Sequence, residues 1–188
     1  MIGSHDEGMR TFAELQQLAP EVAGPIHDRI KTTGIGLLGT IRRDGSPRVS
    51  PIEVADHNGR LYVGMMPGSQ KARDVERDPR VALLTPVGDR GDVGGEGKLF
   101  GRLQRITDTS QADEVLVAAA AEAGFDPEAV RGSPVFELLI DGAAWQRVDQ
   151  DAWTTVSWRE GEPVRHRRRE GATGEVVDVE PGPVNGPR

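Results

Sequence analysis

The run Ser69-Gln70-Lys71-Ala72-Arg73-Asp74 places one hydroxyl and two cations within five residues, directly after Pro67-Gly68. Pro67-Gly68 breaks whatever precedes it, and Ser69 is a good helix cap, so Lys71 and Arg73 fall in the first turn of a helix predicted to reach about Arg77. The unpaired N–H groups of that turn already carry partial positive charge, so a basic residue there costs about 0.3–1 kcal/mol. An anion accepting from both backbone and side chains offsets that cost. Arg48, on an earlier strand, suits the same anion if the strands curl, and a phosphate monoester matches the set. The same residues also fit a solvated helix face, with Lys71 beside Asp74 and Arg73 beside Glu76.

Other chemistry has little support. There is no cysteine, which removes disulfides, thiolate nucleophiles, iron–sulfur clusters and cysteine zinc sites. His5, His27, His57 and His166 lack ligand spacing, so no metal site is expected. No GxSxG nucleophile elbow occurs, and no GxGxxG follows a strand. Gly88 to Gly97 is an acidic, glycine-rich surface loop or lid, matching neither a phosphate loop nor a calcium loop. Trp145, Trp153 and Trp158 suit core, interface or ring stacking. The cluster Arg165-His166-Arg167-Arg168-Arg169 suits a solvated strand end or tail.

The elements that must position the basic run are strands. Gly34 to Arg42 alternates with period two, Asp44-Gly45 is a hairpin turn, and Arg48 to Ala55 returns. His57-Asn58-Gly59 turns again into Arg60 to Met66, giving an antiparallel meander. Asp78-Pro79 ends the basic helix; Arg80 to Pro86 and Lys98 to Thr107 are further strands. Ser110 to Ala123 is an alanine-rich helix capped by Asp108 or Ser110. Val135 to Val148 is a long apolar strand, and Trp153 to Trp158 is one more. Upstream, Thr11 and Glu14 form a capping box for a short helix, and residues 20–32 form a second. The expected fold is mainly β with flanking helices (α+β), an antiparallel split β-barrel of about six to seven strands.

Composition agrees. Hydrophobic residues are 36% and aromatics 4%, so Val, Leu, Ile and Ala must fill one modest core. The 24 glycines and 13 prolines favour turns and short strands. The formal charge of −7 repels nucleic acid and anionic membranes, so neither is an expected partner. No apolar run of about 18 residues occurs, and no signal peptide is evident, so a cytoplasmic protein is expected. Residues 1–9 are a possible tag or disordered start, 10–150 the barrel domain, 151–170 an additional strand or extension, and 171–188 an extended or disordered tail.

The ordered series Arg48-Val49-Ser50-Pro51-Ile52, Leu61-Tyr62-Val63, Ser69-Gln70-Lys71-Ala72-Arg73-Asp74 and Asp78-Pro79-Arg80-Val81-Ala82-Leu83 resembles the pyridoxamine 5′-phosphate oxidase-like family. These are FMN- and deazaflavin-binding split β-barrels. The close resemblance spans residues 30–107, and the element order extends it to Val148. It implies a homodimer with the cofactor between subunits and a small-molecule substrate. Arg48, Ser69, Gln70 and Lys71 would then contact phosphate, with Arg73 nearby. Val49, Ser50, Pro51 and Ile52 would lie along the ring, and Gly64, Met65 and Met66 would line its other side. Gln70 stands where a basic residue is common in the family. The C-terminal substrate segment of the vitamin-processing oxidase has no counterpart here, so pyridoxamine phosphate oxidation is not implied. The resemblance implies an FMN-binding oxidoreductase transferring a hydride to or from a small conjugated substrate. The alternatives are a reductase using the deazaflavin coenzyme F-420, or a non-catalytic binder or sensor of flavin, haem or another planar ligand.

Overall fold

The computed structural model describes residues 8–86, 94–124, 126–149 and 152–181. The expectations for the extreme start, for most of the glycine-rich loop and for the end of the tail fall on residues outside these. The helices are α1 (Phe12–Leu18), α2 (Pro20–Thr33), α3 (Gln70–Arg77) and α4 (Thr109–Ala123). The strands are β1 (Ile35–Ile41), β2 (Pro47–Glu53), β3 (Ala55–His57), β4 (Arg60–Gly64), β5 (Arg80–Leu84), β6 (Glu96–Arg105), β7 (Val135–Asp149), β8 (Ala152–Arg159), β9 (Arg165–Glu170) and β10 (Val176–Asp178).

The turn chemistry fixes the first hairpin. Gly45 takes φ +84°, and Asp44 accepts from the Ser46 N–H at 3.0 Å and its hydroxyl at 2.7 Å. The β1–β2 register follows, with Ile35 opposite Glu53, Leu37 opposite Pro51 and Thr40 opposite Arg48. Asn58 and Gly59 both take positive φ, the pairing that a tight hairpin turn requires, and join β3 to β4.

The expected three-strand meander is cut at Val54. The returning strand divides there: β2 stays with β1, while β3 pairs with β4, and β4 crosses to the start of β7. The main ladder runs β10-β9-β8-β7-β6-β5-β1-β2 and is antiparallel. β7 serves two neighbours along one edge, β4 at its first residues and β8 at its last. The sheet curls but does not close by hydrogen bonds: β2 and β3 lie at opposite ends of the path yet are consecutive in the chain. This is the split-barrel arrangement. Among the described residues it carries ten strands, against the six or seven expected, because the basic segment from Arg165 continues the sheet as β9 and residues expected to be an extended or disordered tail turn back as β10.

One face of the curl is filled by Phe12, Leu15, Ile26, Leu38, Leu61, Val63, Met65, Leu99, Phe136, Leu138 and Ile140, all buried. Full burial of side chains of this size contributes about 1.5–3 kcal/mol each. α1 starts from the expected capping box, with Thr11 and Glu14 bonding reciprocally. α2 lays Val22, Ala23, Ile26 and Ile30 on this core. Trp145 and Trp158 join it, whereas Trp153 is half exposed on the other face. A smaller cluster under α4 gathers Tyr62, Val115, Leu116 and Val135.

Candidate functional site

α3 is seated where the sequence requires. Its N-cap is Ser69, whose hydroxyl accepts from the Ala72 N–H at 3.4 Å, and Gly68 takes φ +68° just before it. Ala72, Asp74 and Val75 face the barrel, which leaves Gln70, Lys71 and Arg73 outward or half outward. Against the start of α3 lies an open groove of about 350 Å³, lined by Ile35, Pro51, Ile52, Glu53, Gly64, Met66, Ser69 and Lys71.

The residues expected from the sequence divide into those in the groove and those beside it. Pro51, Ile52, Gly64, Met66, Ser69 and Lys71 meet there. Lys71 Nζ donates to the Pro51 carbonyl at 3.1 Å. Burial pushes its pKa down, and the nearby charge of Glu53 partly opposes that. Arg73 folds back toward the loop before the helix, its guanidinium lying 3.8 Å from where a Gly68 Cβ would sit. Gln70 is exposed on the first turn.

Arg48 is not in the lining of the groove. It lies on the same side of β2 as Ser50 and Ile52, and its Nε donates to Asp74 Oδ2 at 2.7 Å. Asp74 is buried and also accepts from the Thr40 hydroxyl at 3.1 Å, with Arg77 at 3.5 Å. Burial pushes the Asp74 carboxyl up, but these bonds and charges outweigh it and hold the group below the ordinary carboxylate range. Arg48 therefore ties β2 to α3 and does not line the groove. Val49 stands exposed on the outer face, Met65 is buried in the core, and the Ser50 hydroxyl is buried without a partner among the described residues.

Two lining residues were not among those expected, Ile35 and Glu53. The signal for them was present. With the hairpin centred on Asp44-Gly45, strand pairing sets Ile35 opposite Glu53, on the same side as Leu37 and Pro51. Glu53 makes no hydrogen bond or ion pair with any described residue, although its charge is felt by Lys71.

The donor set fits a phosphate-bearing planar cofactor. For such a group, Ser69 and the first turn of α3 would supply hydroxyl and backbone donors, Lys71 would supply charge with Arg73 beside the groove, and Ile35, Pro51 and Met66 would supply apolar walls. No group of three or more metal-ligating side chains occurs among the described residues. No helix among them is long and apolar enough to cross a membrane.

The fold that carries the groove is a known one. A family model described as pyridoxamine 5′-phosphate oxidase matches residues 25–149, most of the chain. No curated protein matches. Among solved structures, a conserved hypothetical protein of Mycobacterium tuberculosis is 22% identical, with TM-score 0.57 over 64% of this chain and 81% of that one. A Clostridium acetobutylicum protein related to general stress protein 26, of the pyridoxinephosphate oxidase family, is 10% identical, with TM-score 0.56 over 71% and 90%. The haem storage protein HutZ of Vibrio cholerae is 15% identical, with TM-score 0.53 over 78% and 96%. At these identities the likeness is one of fold.

Proposed function

We propose a function from one premise: the chain belongs to the pyridoxamine 5′-phosphate oxidase family. The groove binds FMN, and the protein is an oxidoreductase acting on a small conjugated substrate. The observation that carries this reading is the meeting of Ser69 and Lys71 with the apolar side chains of Ile35, Pro51 and Met66 in one open groove at a helix start. Ser69, the first-turn N–H groups, Lys71 and Arg73 hold the phosphate. Pro51 and Ile52 offer backbone to one side of the ring, and Gly64 and Met66 lie at the other. FMN supplies hydride transfer when bound; the residues supply position, charge and exclusion of water. The deazaflavin coenzyme F-420 fits the same groove by the same logic.

The site is completed in a homodimer. Ile35, Leu37, Val49, Met66 and Phe100 are large, apolar and exposed on or beside the outer face that carries the groove, and a second copy is the partner proposed to cover them.

A second reading is a non-catalytic binder of a planar ligand such as haem. It is favoured by the likeness to a haem storage protein that extends over 78% of this chain. No histidine lines the groove, so haem would lack its commonest protein ligand there.

The test is titration of the purified protein with FMN, the deazaflavin coenzyme and haemin, followed by visible spectra. FMN bound well below about millimolar and reduced by a nicotinamide donor, with substrate-dependent reoxidation, supports the oxidoreductase. Haemin binding alone transfers the protein to the second reading.

A further inference from the structure

We infer that the outer face of β8 and β9 is a docking surface for an extended acidic peptide whose carboxylates recur at every second residue.

Strand pairing builds this face. Thr155 stands opposite Arg167, Ser157 opposite Arg165 and Trp153 opposite Arg169. Opposed residues share a side of the sheet, so two hydroxyls and three guanidiniums face one way. All three arginines are exposed, and Trp153 beside them is 47% exposed. β10 sets Val176 next to Arg169. Neither hydroxyl makes a hydrogen bond with a described residue, and the Arg169 guanidinium has no partner among them. Arg165 meets Glu162 at 2.7 Å and Arg167 meets Asp178 at 3.3 Å, both pairs open to water. Exposed pairs of this kind hold weakly.

The spacing names the ligand. Residues two apart on a strand repeat at about 6.8 Å, so Thr155 with Arg167 and Ser157 with Arg165 are two donor sets at that spacing. An extended peptide presents alternate side chains on one face at the same repeat. Each carboxylate can accept from one hydroxyl and one guanidinium, and the bond to the guanidinium is charge-assisted. In the next row Trp153, Arg169 and Val176 seat a neighbouring aliphatic side chain. Asp178 already places a carboxylate on Arg167, so the chain itself displays the chemistry that the face accepts.

Nucleic acid suits the face less. Glu162 and Asp178 interrupt its positive charge, and the whole chain carries −7. A continuous phosphate backbone would meet both carboxylates and gain few counterion-releasing contacts. No residue lining the groove belongs to β8, β9 or β10. Along the sheet, β7 separates this face from β6, which carries Phe100 of the apolar set assigned to a second copy.

The test is fluorescence anisotropy with a short labelled peptide alternating glutamate and threonine after one leucine. The controls are a peptide of the same composition with its glutamates consecutive, and a labelled oligothymidylate. The full chain binds the alternating peptide at low salt with a Kd on the order of 100 µM or tighter. The consecutive peptide binds about tenfold more weakly, the usual loss of one charge-assisted hydrogen bond. Arg167→Gln weakens the alternating peptide by about tenfold, and Thr155→Val by about threefold. Asp178→Asn removes the competing carboxylate and tightens binding by about twofold to fivefold. Circular dichroism and thermal melting establish that each variant is folded. No binding of the alternating peptide overturns the inference, as does equal binding of the two peptides. Unchanged affinity in folded Arg167→Gln also overturns it. Tighter binding of the oligothymidylate than of the peptide assigns the face to nucleic acid and overturns it as well.

Discussion

Lys71 and Asp74 stand three residues apart on one short helix and do opposite work. Lys71 lines the groove, partly desolvated, and donates to the Pro51 carbonyl at 3.1 Å. Its truncation is expected to cost binding and little stability. Lys71→Ala should weaken FMN by about 1.5–3 kcal/mol, the usual loss of a hydrogen bond to a charged group, read by titration. Unchanged affinity would return Lys71 to a solvated helix face. Asp74 is buried and holds Arg48, Thr40 and Arg77. Asp74→Ala leaves Arg48 without its anion and should lower stability by about 3 kcal/mol in urea unfolding. One further carboxyl sets an acid limit. The hydrogen bond from the Arg80 side chain holds the Asp78 carboxyl down at about 2, although burial opposes it. The folded state therefore binds fewer protons than the unfolded chain in acid. The stabilisation is fully present above the ordinary carboxylate range and drains away as pH falls from about 4 to about 2. Asp78→Asn should lower the urea midpoint at neutral pH and flatten its dependence across that interval.

At the scale of elements, what was legible in the sequence was whatever local chemistry decides. The Thr11–Glu14 capping box, the Asp44-Gly45 and Asn58-Gly59 turns, the Ser69 cap and the Asp108 cap of α4 all appear as expected. Pairing between distant strands was not legible. Nothing near Val54 says that β2 and β3 join different neighbours, because that division depends on β7, some eighty residues later in the chain. β9 was hidden by composition: Arg165, Arg167 and Arg169 alternate with half-buried His166 and Arg168, and a cationic strand carries no apolar signal. The Arg48–Asp74 pair was not legible for a related reason. The direction of the Arg48 side chain follows from pairing opposite Thr40, which sets it toward buried Asp74. One glycine shows how tightly the long pairing is built. At Gly101, where the β6–β7 register shifts, an added Cβ would sit 1.9 Å from the Leu139 carbonyl oxygen. Backbone cannot yield as a flexible side chain can. Gly101→Ala should cost at least about 3 kcal/mol or prevent folding, measured by thermal melting and soluble yield. Gly142, whose added Cβ would meet nothing closer than a Phe100 carbon at 3.6 Å, is the control expected to tolerate alanine.

For the whole molecule, the question is what covers the outer face. β2, β1, β5 and β6 lie side by side, and opposed residues share a side, so Val49, Gly39, Ala82 and Phe100 form one row across four strands. Leu37 lies between Pro51 and Leu84 in the next row, and Ile35 beyond it borders the groove. Val49 is 67% exposed and Met66 77%, values that fit side chains awaiting a partner surface. Each copy carries a formal charge of −7, so two copies repel at long range. The proposed dimer would then be held by apolar contact, and a stable interface needs about 800 Å² from each partner. Two consequences separate this from incidental stickiness. Added salt should tighten the dimer, by screening the like charges, where it would loosen one held by ion pairs. Val49→Asp places a carboxylate in the middle of the row and, by symmetry, in both copies. It should halve the mass measured by light scattering after size exclusion. FMN affinity should fall about tenfold or more in the same variant, although Val49 does not line the groove of its own subunit. A Val49→Asp monomer that keeps full FMN affinity would confine the cofactor site to one chain.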